Sequence, residues 1–404
     1  MIKRDLYLKK LIAFQNQPLI KVITGMRRSG KSTLLMLFAA YLREQGVPDN
    51  QIIVMNLESL EYDAYLDYRK LYRYLKEQIQ GKSQVYLLHD EIQAVDSWEK
   101  VVNSLYEEGL ADIYVTGSNA KMLSSEISTL LSGRYVEIAV FPLSFREYLS
   151  FLPEERRHDK DAVFQRYLKY GGLPVIPRLP QDDNTISLFL SGIYNTVLIK
   201  DVVQRSAIRD PQLLDQLTHF LADSIGSTVS TSKISGYLTS QGRKVSGITI
   251  DNYMKMLEEA FIFYRAQRYD IKGKAYLKTQ EKYYIVDTGI RNVLLGFRDG
   301  DYGHILENVV YLELLRRGYK VSIGRLGTLE VDFIAEKMDE KVYYQVSASV
   351  MDAQTRDREL TPLRKIPDQY KKVLLTTDRT YIRDYDGVRN VNIVDFLLVD
   401  DNML

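Results

Sequence analysis

"LIKVITGMRRSGKSTLLMLFAAYLREQG", residues 19–46, decides the fold. It opens on a strand-like stretch, Leu19–Ile23, and passes through a glycine-bracketed turn, Gly25–Ser32. It then enters a segment with apolar residues at 34, 35, 37, 38, 41 and 42, which Gly46 ends. That spacing predicts a helix following a buried strand. Gly25, Met26, Arg27, Arg28, Ser29, Gly30, Lys31 and Ser32 satisfy G-x-x-x-x-G-K-[ST] at every fixed position, and Thr33 follows. Glycines let backbone N–H groups curl round phosphate oxygens, and the helix start adds its positive dipole end. Lys31 is placed to reach the β- and γ-phosphates, and Ser32 to offer its hydroxyl to Mg²⁺. Residues 25–33 are expected to bind ATP.

Such a loop needs a carboxylate for the metal. "QVYLLHDEIQ", residues 84–93, supplies one after the apolar run Val85–Leu88. Asp90, at the strand end, is expected to hold Mg²⁺ with Ser32. Glu91 is expected to polarise the attacking water as general base. The next strand, 112–120, ends in Gly117-Ser118-Asn119, where a polar side chain can sense the γ-phosphate, Asn119 ahead of Ser118. Arg134 stands at the mouth of a strand alternating Val136, Ile138 and Val140, a position from which it can reach a neighbouring subunit's nucleotide.

Composition frames the rest. At 404 residues the chain has room for two or three domains. Its net charge of +1 announces no polyanionic partner, so any such surface is local. The absence of cysteine excludes disulfides and thiolate metal sites. No run approaches the roughly 18 apolar residues of a membrane span, and "MIKRDLYLKKLIAF" lacks a signal-peptide core. The expectation is a cytoplasmic chain without a membrane partner.

Taken in order, "TGMRRSGKST" (24–33), "LLHDEIQ" (87–93) with Trp98 beyond, "VTGSNAKML" (115–123), "LSGRYVEIAVFPLSFREYL" (131–149) and "YLKYGGLP" (167–174) resemble the AAA superfamily of P-loop ATPases. More closely, they resemble prokaryotic ATPases that join such a module to a C-terminal domain of unknown function. The resemblance implies an α/β fold with a three-layer parallel sheet, an additional strand between those carrying the two phosphate-site motifs, a helical lid and a Mg·ATP site. It also makes a homo-oligomer plausible, since AAA modules commonly form rings.

Beyond the sheet, prolines at 174, 177 and 180 break the αβ alternation, and Gly171-Gly172 reads as a helix-ending turn. Residues 185–205 read as a linking helix. Three helices follow in 211–270, the second opened by Thr231 or Ser232 and the third, 246–270, capped by Ser246. A hairpin turning at Lys272-Gly273-Lys274 completes the order of a winged helix. Between 231 and 282, lysine and arginine number ten against five acids, a local balance of +5. That suits contacts from Lys244, Lys255, Arg268, Lys272 and Lys274 to a DNA backbone. Winged helices also dock proteins, so a protein client is the alternative.

The C-terminal order of helix, three strands, helix and strand resembles the restriction-endonuclease-like fold. Position by position, Glu307 and Asp332 match its metal-binding carboxylates. Gln345 and Ser347 stand where Glu-x-Lys belongs. A neutral amide is a poor Mg²⁺ ligand and serine offers no cation, so the reading is a nuclease fold without its chemistry. The expected domains are an ATPase core at 1–150, a helical lid and connector at 151–204, a winged helix at 205–300 and the degenerate nuclease-like domain at 301–404. The expected function is a Mg-dependent ATP hydrolase working as a switch or motor, DNA-associated first and acting on a protein client second, with an active ATP-regulated nuclease third.

Overall fold

A computed structural model describes residues 2–118, 131, 133–180, 182–197, 202–203, 208 and 210–399. Two compact units divide the chain, Met1–Phe141 with Glu259–Phe261, and Pro142–Glu258 with Ile262–Leu404.

The first unit is built on β1 (Ile20–Thr24), β2 (Ile52–Asn56), β3 (Tyr86–Asp90), β4 (Asp112–Gly117) and β5 (Tyr135–Ala139). They form one sheet in the order β2-β3-β4-β1-β5, every pairing parallel. β4 therefore lies between β1, which leads into the phosphate loop, and β3, which ends at Asp90. Because side chains alternate along a strand, Ile20 and Val22 point to one face and Ile23 to the other. The first face packs on α3 (Tyr68–Ile79) and α4 (Trp98–Glu107) through Leu71, Leu75, Trp98, Val102 and Leu105. The second packs on α1 (Asp5–Ala13) and α2 (Lys31–Glu44) through Tyr7, Leu11, Leu34, Phe38 and Leu42. Helix, sheet and helix make three layers, the P-loop α/β class expected. Asp67 starts α3 by accepting hydrogen bonds from the N–H groups of Arg69 and Lys70, the capping that an exposed helix start requires.

Lys21 breaks the apolar pattern of β1. It is fully buried, pairs with Asp112 across the β1–β4 seam and donates to the Gln17 carbonyl at 2.9 Å. A buried ammonium is tolerable only when so paired; it fixes the edge of the sheet where the strands begin.

The second unit holds β6 (Thr228–Val229), the hairpin β7 (Phe263–Asp270) and β8 (Ala275–Ile285), and then β9 (Lys320–Leu326), β10 (Leu329–Lys337) and β11 (Glu340–Val346). β12 (Lys371–Thr376), β13 (Asp384–Tyr385) and β14 (Val388–Asn392) follow. All nine share one sheet in the order β13-β14-β12-β11-β10-β9-β7-β8-β6. The hairpin joins β9 through the parallel β7–β9 pairing. β9, β10 and β11 form an antiparallel meander, and β11 pairs parallel with β12. The expected cut at 300 thus falls inside one continuous sheet. The expected cut at 150 also moves, because helices Phe145–Phe151, Lys160–Tyr170 and Asp183–Thr196 belong to the second unit. Within that unit these helices are tied to the sheet by a polar, buried joint. Gly171, at φ 77°, ends the helix Lys160–Tyr170, and the next N–H, of Gly172, donates to Asp287 Oδ2 at 2.7 Å. Asp287 also caps the helix Thr288–Leu295, while Asn292 Nδ2 donates to the Leu168 and Lys169 carbonyls.

The three helices expected before the hairpin are present at Pro211–Asp223, Thr231–Ser240 and Gly247–Glu259, but the third ends well short of the expected residue 270, because Phe263–Asp270 is the strand β7, paired with β8 and β9. Ser230, one residue earlier than expected, caps the second. Ser246 Oγ accepts from the Thr249 N–H at the start of the third.

Candidate active site

β1 ends at Thr24 and the chain turns at once. Gly25 holds φ 138°, and a Cβ there would lie 2.2 Å from the Val140 carbonyl oxygen, so only glycine fits. Arg28 at φ 66° and Gly30 at φ 100° complete the curl into α2. Lys31 is buried and donates to the Gly25 and Met26 carbonyls at 2.9 and 3.0 Å, which holds its ammonium inside the loop. The Ser29 hydroxyl is buried and has no partner. An orphaned donor, a cradle closed to any Cβ and an inward ammonium fit a phosphate chain. Arg27 pairs with Glu58 at 2.6 Å.

The carboxylates converge from β3. The Thr116 hydroxyl, on neighbouring β4, donates to Asp90 Oδ1 at 2.5 Å and accepts the Glu91 N–H at 3.0 Å. The Ser32 hydroxyl also hydrogen-bonds Asp90, so the two expected metal ligands already meet. Burial raises the pKa of Asp90, and the Thr116 and Ser32 hydroxyls work against that rise. Glu91 sits in the left-handed region at φ 52°, ψ 48°. Its Oε2 accepts from Ser118 Oγ at 3.1 Å and from Gln93 Nε2, and its Oε1 lies 4.0 Å from Lys31 Nζ. Asn119 lies outside the described residues. His89, between these groups and the core, is fully buried with neither ring nitrogen bonded, and burial pushes its pKa down to about 4. It is a neutral core residue.

Sequence reasoning missed Arg4. It is buried, donates to the Ser29 carbonyl at 2.7 Å and the Phe141 carbonyl at 3.0 Å, and stacks over the Tyr7 ring. It braces the phosphate loop from below. Nothing in the charge-alternating N-terminus marks it out.

Arg134 is at the other end of the sheet. It precedes β5, pairs with Glu107 at 2.7 Å and lines a cleft of about 740 Å³ with Asn16, Gln17, Ser83 and Asp112. The far end of β5, Ala139, is the residue that pairs with Thr24 at the phosphate loop. Five strand residues, about 17 Å, separate Arg134 from its own loop.

Among the residues expected to meet DNA, Lys244, Lys255, Lys272 and Lys274 are exposed. Arg268 is a correction. It is 8% exposed and donates to Gln280 across the hairpin. It shares strand parity with the fully buried Ala266, so the pleat turns it inward.

The C-terminal residues do come together. Glu307, on the helix Tyr302–Arg316, accepts from Lys282 Nζ at 3.0 Å and from the Tyr284 hydroxyl at 2.6 Å. Lys282 also pairs with Glu330 at 2.7 Å. Asp332 Oδ2 accepts the Val346 N–H at 2.9 Å. Gln345 accepts the Asp332 N–H at 3.3 Å through Oε1 and donates to Glu359 at 2.9 Å. The Ser347 hydroxyl donates to the nearby Ser349 carbonyl at 3.0 Å. Burial and the neighbouring Glu307 push the Asp332 carboxyl well above its ordinary range. Lys337 and Lys341 are turned elsewhere, to the Arg317 carbonyl and to Glu336.

Residues 17–149 match the AAA domain, and residues 161–301 match a domain of unknown function. An uncharacterized protein of Haemophilus influenzae is 42% identical over 400 residues, 98% of this chain and 99% of that protein. Another, of Methanocaldococcus jannaschii, is 32% identical over 346 residues, 83% and 75% of the two chains. Among solved structures, a Walker-type ATPase of Pyrococcus abyssi superposes with a TM-score of 0.50 at 18% identity, covering 73% of this chain and 96% of that one. That likeness is one of fold. Among the described residues no helix is long and apolar enough to cross a membrane.

Proposed function

This chain belongs to one family with the Haemophilus influenzae protein and carries an AAA domain at residues 17–149, and from that premise we propose that it is a Mg-dependent ATP hydrolase acting as a switch or motor on DNA. The observation that carries the reading is the hydrogen-bonded line Ser32–Asp90–Thr116 beside Glu91. Residues 25–33 would hold the triphosphate, with Ser32 and Asp90 holding Mg²⁺. Bound there, the ion would neutralise charge developing on the β- and γ-phosphates. Lys31 leaves its two carbonyl partners to meet phosphate oxygens. Glu91 leaves Gln93 and Ser118 to accept a proton from water. The Glu91 and Asp90 carboxylates have different side-chain partners, Ser118 and Gln93 against Thr116 and Ser32, so one carboxylate can serve the metal and the other the nucleophile.

Arg134 cannot serve its own loop from the opposite strand end, so its part as a finger requires a second copy. Mixing Arg134→Ala with Glu91→Gln chains restores turnover if it acts in trans; mixed assemblies without recovery refute that role.

The DNA assignment rests on the exposed Lys244, Lys255, Lys272 and Lys274 around a three-helix-and-hairpin module that we read as a winged helix. We read residues 302–376 as restriction-endonuclease-like, with the order helix, β9, β10, β11, helix, β12. One observation favours a protein client as second reading. Ile248, at the start of the third helix, is 75% exposed, an apolar contact a phosphate backbone does not use. ATP turnover measured with and without duplex and single-stranded DNA, with Glu91→Gln as the blank, separates the two. A DNA-dependent rise supports the first reading, and turnover indifferent to DNA supports the second.

A further inference from the structure

The carboxylates Glu307 and Asp332 stand where a restriction-endonuclease-like fold would keep its divalent metal, yet their surroundings do not fit one. The side chain closing on Glu307 is Lys282, from β8, far from the Glu-x-Lys position in sequence; Asp332 feels its charge without an ion pair between them. Its Nζ lies 3.0 Å from Glu307 Oε1 and 2.7 Å from Glu330 Oε1. Glu307 Oε1 is already shared with the Tyr284 hydroxyl at 2.6 Å. Lys282 is 3% exposed, so water does not compete for its charge. Among the described residues no group of three acidic, histidine or cysteine side chains is arranged to hold a metal ion.

We propose that Lys282 is the resident cation of this site. Its ammonium fills the seat of the divalent ion and leaves the C-terminal domain a metal-free, non-cutting fold. The inference rests on reading Glu307 and Asp332 as the carboxylates of a metal-type seat. Charge supports it. Buried carboxylates require a counter-charge, and an ammonium paired with the buried Glu307 and the half-buried Glu330 supplies it without a metal. Chemistry supports it too. An ammonium locked between two carboxylates has no lone pair with which to deprotonate water. Gln345 is likewise spoken for, bonded to the Asp332 N–H and to Glu359, so the second ligand position of such a nuclease is also filled from within. Glu307 and the adjacent Asn308 bind β8 together, since Asn308 exchanges two 2.8 Å hydrogen bonds with the backbone of Ile285. The lysine is thereby placed by a built seam rather than by chance.

The test is Mn²⁺ titration of the full chain in an Asp90→Asn background without nucleotide, which removes the carboxylate expected to hold metal at the phosphate loop, followed by electron paramagnetic resonance of free Mn²⁺ and by thermal melting. With Lys282 present, we expect no Mn²⁺ bound and no change in melting temperature. With Lys282→Met, which keeps the volume and removes the charge, we expect one Mn²⁺ per chain, a rise of several degrees in melting temperature on adding the ion, and loss of both on adding Asp332→Asn. If Lys282→Met does not fold in chelator, recovery of a cooperative transition with Mn²⁺ reports the same seat. Mn²⁺ bound while Lys282 is present, and lost on Asp332→Asn, overturns the resident-cation assignment while keeping the seat. A Lys282→Met chain that gains neither Mn²⁺ nor stability from it overturns the reading of the seat itself.

Discussion

Thr116→Val removes one hydroxyl from the centre of the nucleotide site and little volume. In the structure that hydroxyl donates to Asp90 and accepts from the Glu91 backbone. A hydrogen bond to a charged group contributes about 1.5–3 kcal/mol, and the orphaned Glu91 N–H costs about 1–3 kcal/mol more. The first figure corresponds to a gain of about ten- to a hundredfold in the proton affinity of Asp90. The direction follows from the site. Burial already raises this pKa and Thr116 is the strongest influence lowering it, so valine raises it further. Since Asp90 must be ionised to hold Mg²⁺, the acid limb of the rate profile moves to higher pH. The assay is kcat/KM for ATP hydrolysis against pH at saturating Mg²⁺, with Thr116→Ser restoring the wild-type profile. Thr116→Val is expected to lose most activity at the acid end and recover toward alkaline pH. A Thr116→Val chain that is folded, binds ATP and keeps the wild-type acid limb would refute the claim that this hydroxyl sets the charge of Asp90.

Three further outcomes are expected. Glu91→Gln lowers turnover by about 10²–10⁴-fold while retaining ATP, measured as nucleotide bound after gel filtration. Asp287 is fully buried, and burial pushes its pKa up to about 6 from 3.8, so the folded state takes up its proton first. Its contribution to stability is therefore full below about pH 4 and declines as pH rises through 6, by about 3 kcal/mol in all; Asp287→Asn should flatten melting temperature against pH across that window relative to wild type. If DNA is bound, Lys272→Glu with Lys274→Glu weakens it and reduces the salt slope by about 0.9 for each phosphate that the chain ceases to neutralise. Arg268→Leu should leave that slope unchanged, as fluorescence anisotropy across a salt series would show.

The nucleotide site is legible in the sequence because its requirements are local. A glycine with no room for a Cβ, a lysine one residue into a helix and a carboxylate at a strand end are each fixed within a few residues of chain. The separate tasks proposed for Asp90 and Glu91 rest on the same local reading. The supports of the site are not legible. Arg4 reaches Ser29 across 25 residues and Phe141 across 137, distances over which no periodicity speaks. At Arg268 the signal is present but local charge masks it. In "FYRAQRYD" it lies two residues from Ala266, and a period of two puts both on one face, so strand parity outweighs the basic composition around it. Lys282 is hidden more deeply, because its meeting with Glu307 depends on β8 and the helix Tyr302–Arg316 packing together.

That packing constrains how the second unit can move. β7 pairs directly with β9, so the hairpin of the three-helix module and the meander of the C-terminal region are neighbours in one sheet. Lys282 belongs to the hairpin, while Glu307 and Glu330 belong to the C-terminal region. Pulling the two apart would strand an ammonium and two carboxylates, and breaking a buried ion pair costs about 3–5 kcal/mol. The Asn308–Ile285 bonds and the β7–β9 ladder would go with it. The hairpin and the C-terminal core are therefore carried as one body. If nucleotide drives a conformational change, as the proposed switch requires, it has to be accommodated outside that seam, and substitutions at Lys282 should alter stability before they alter coupling.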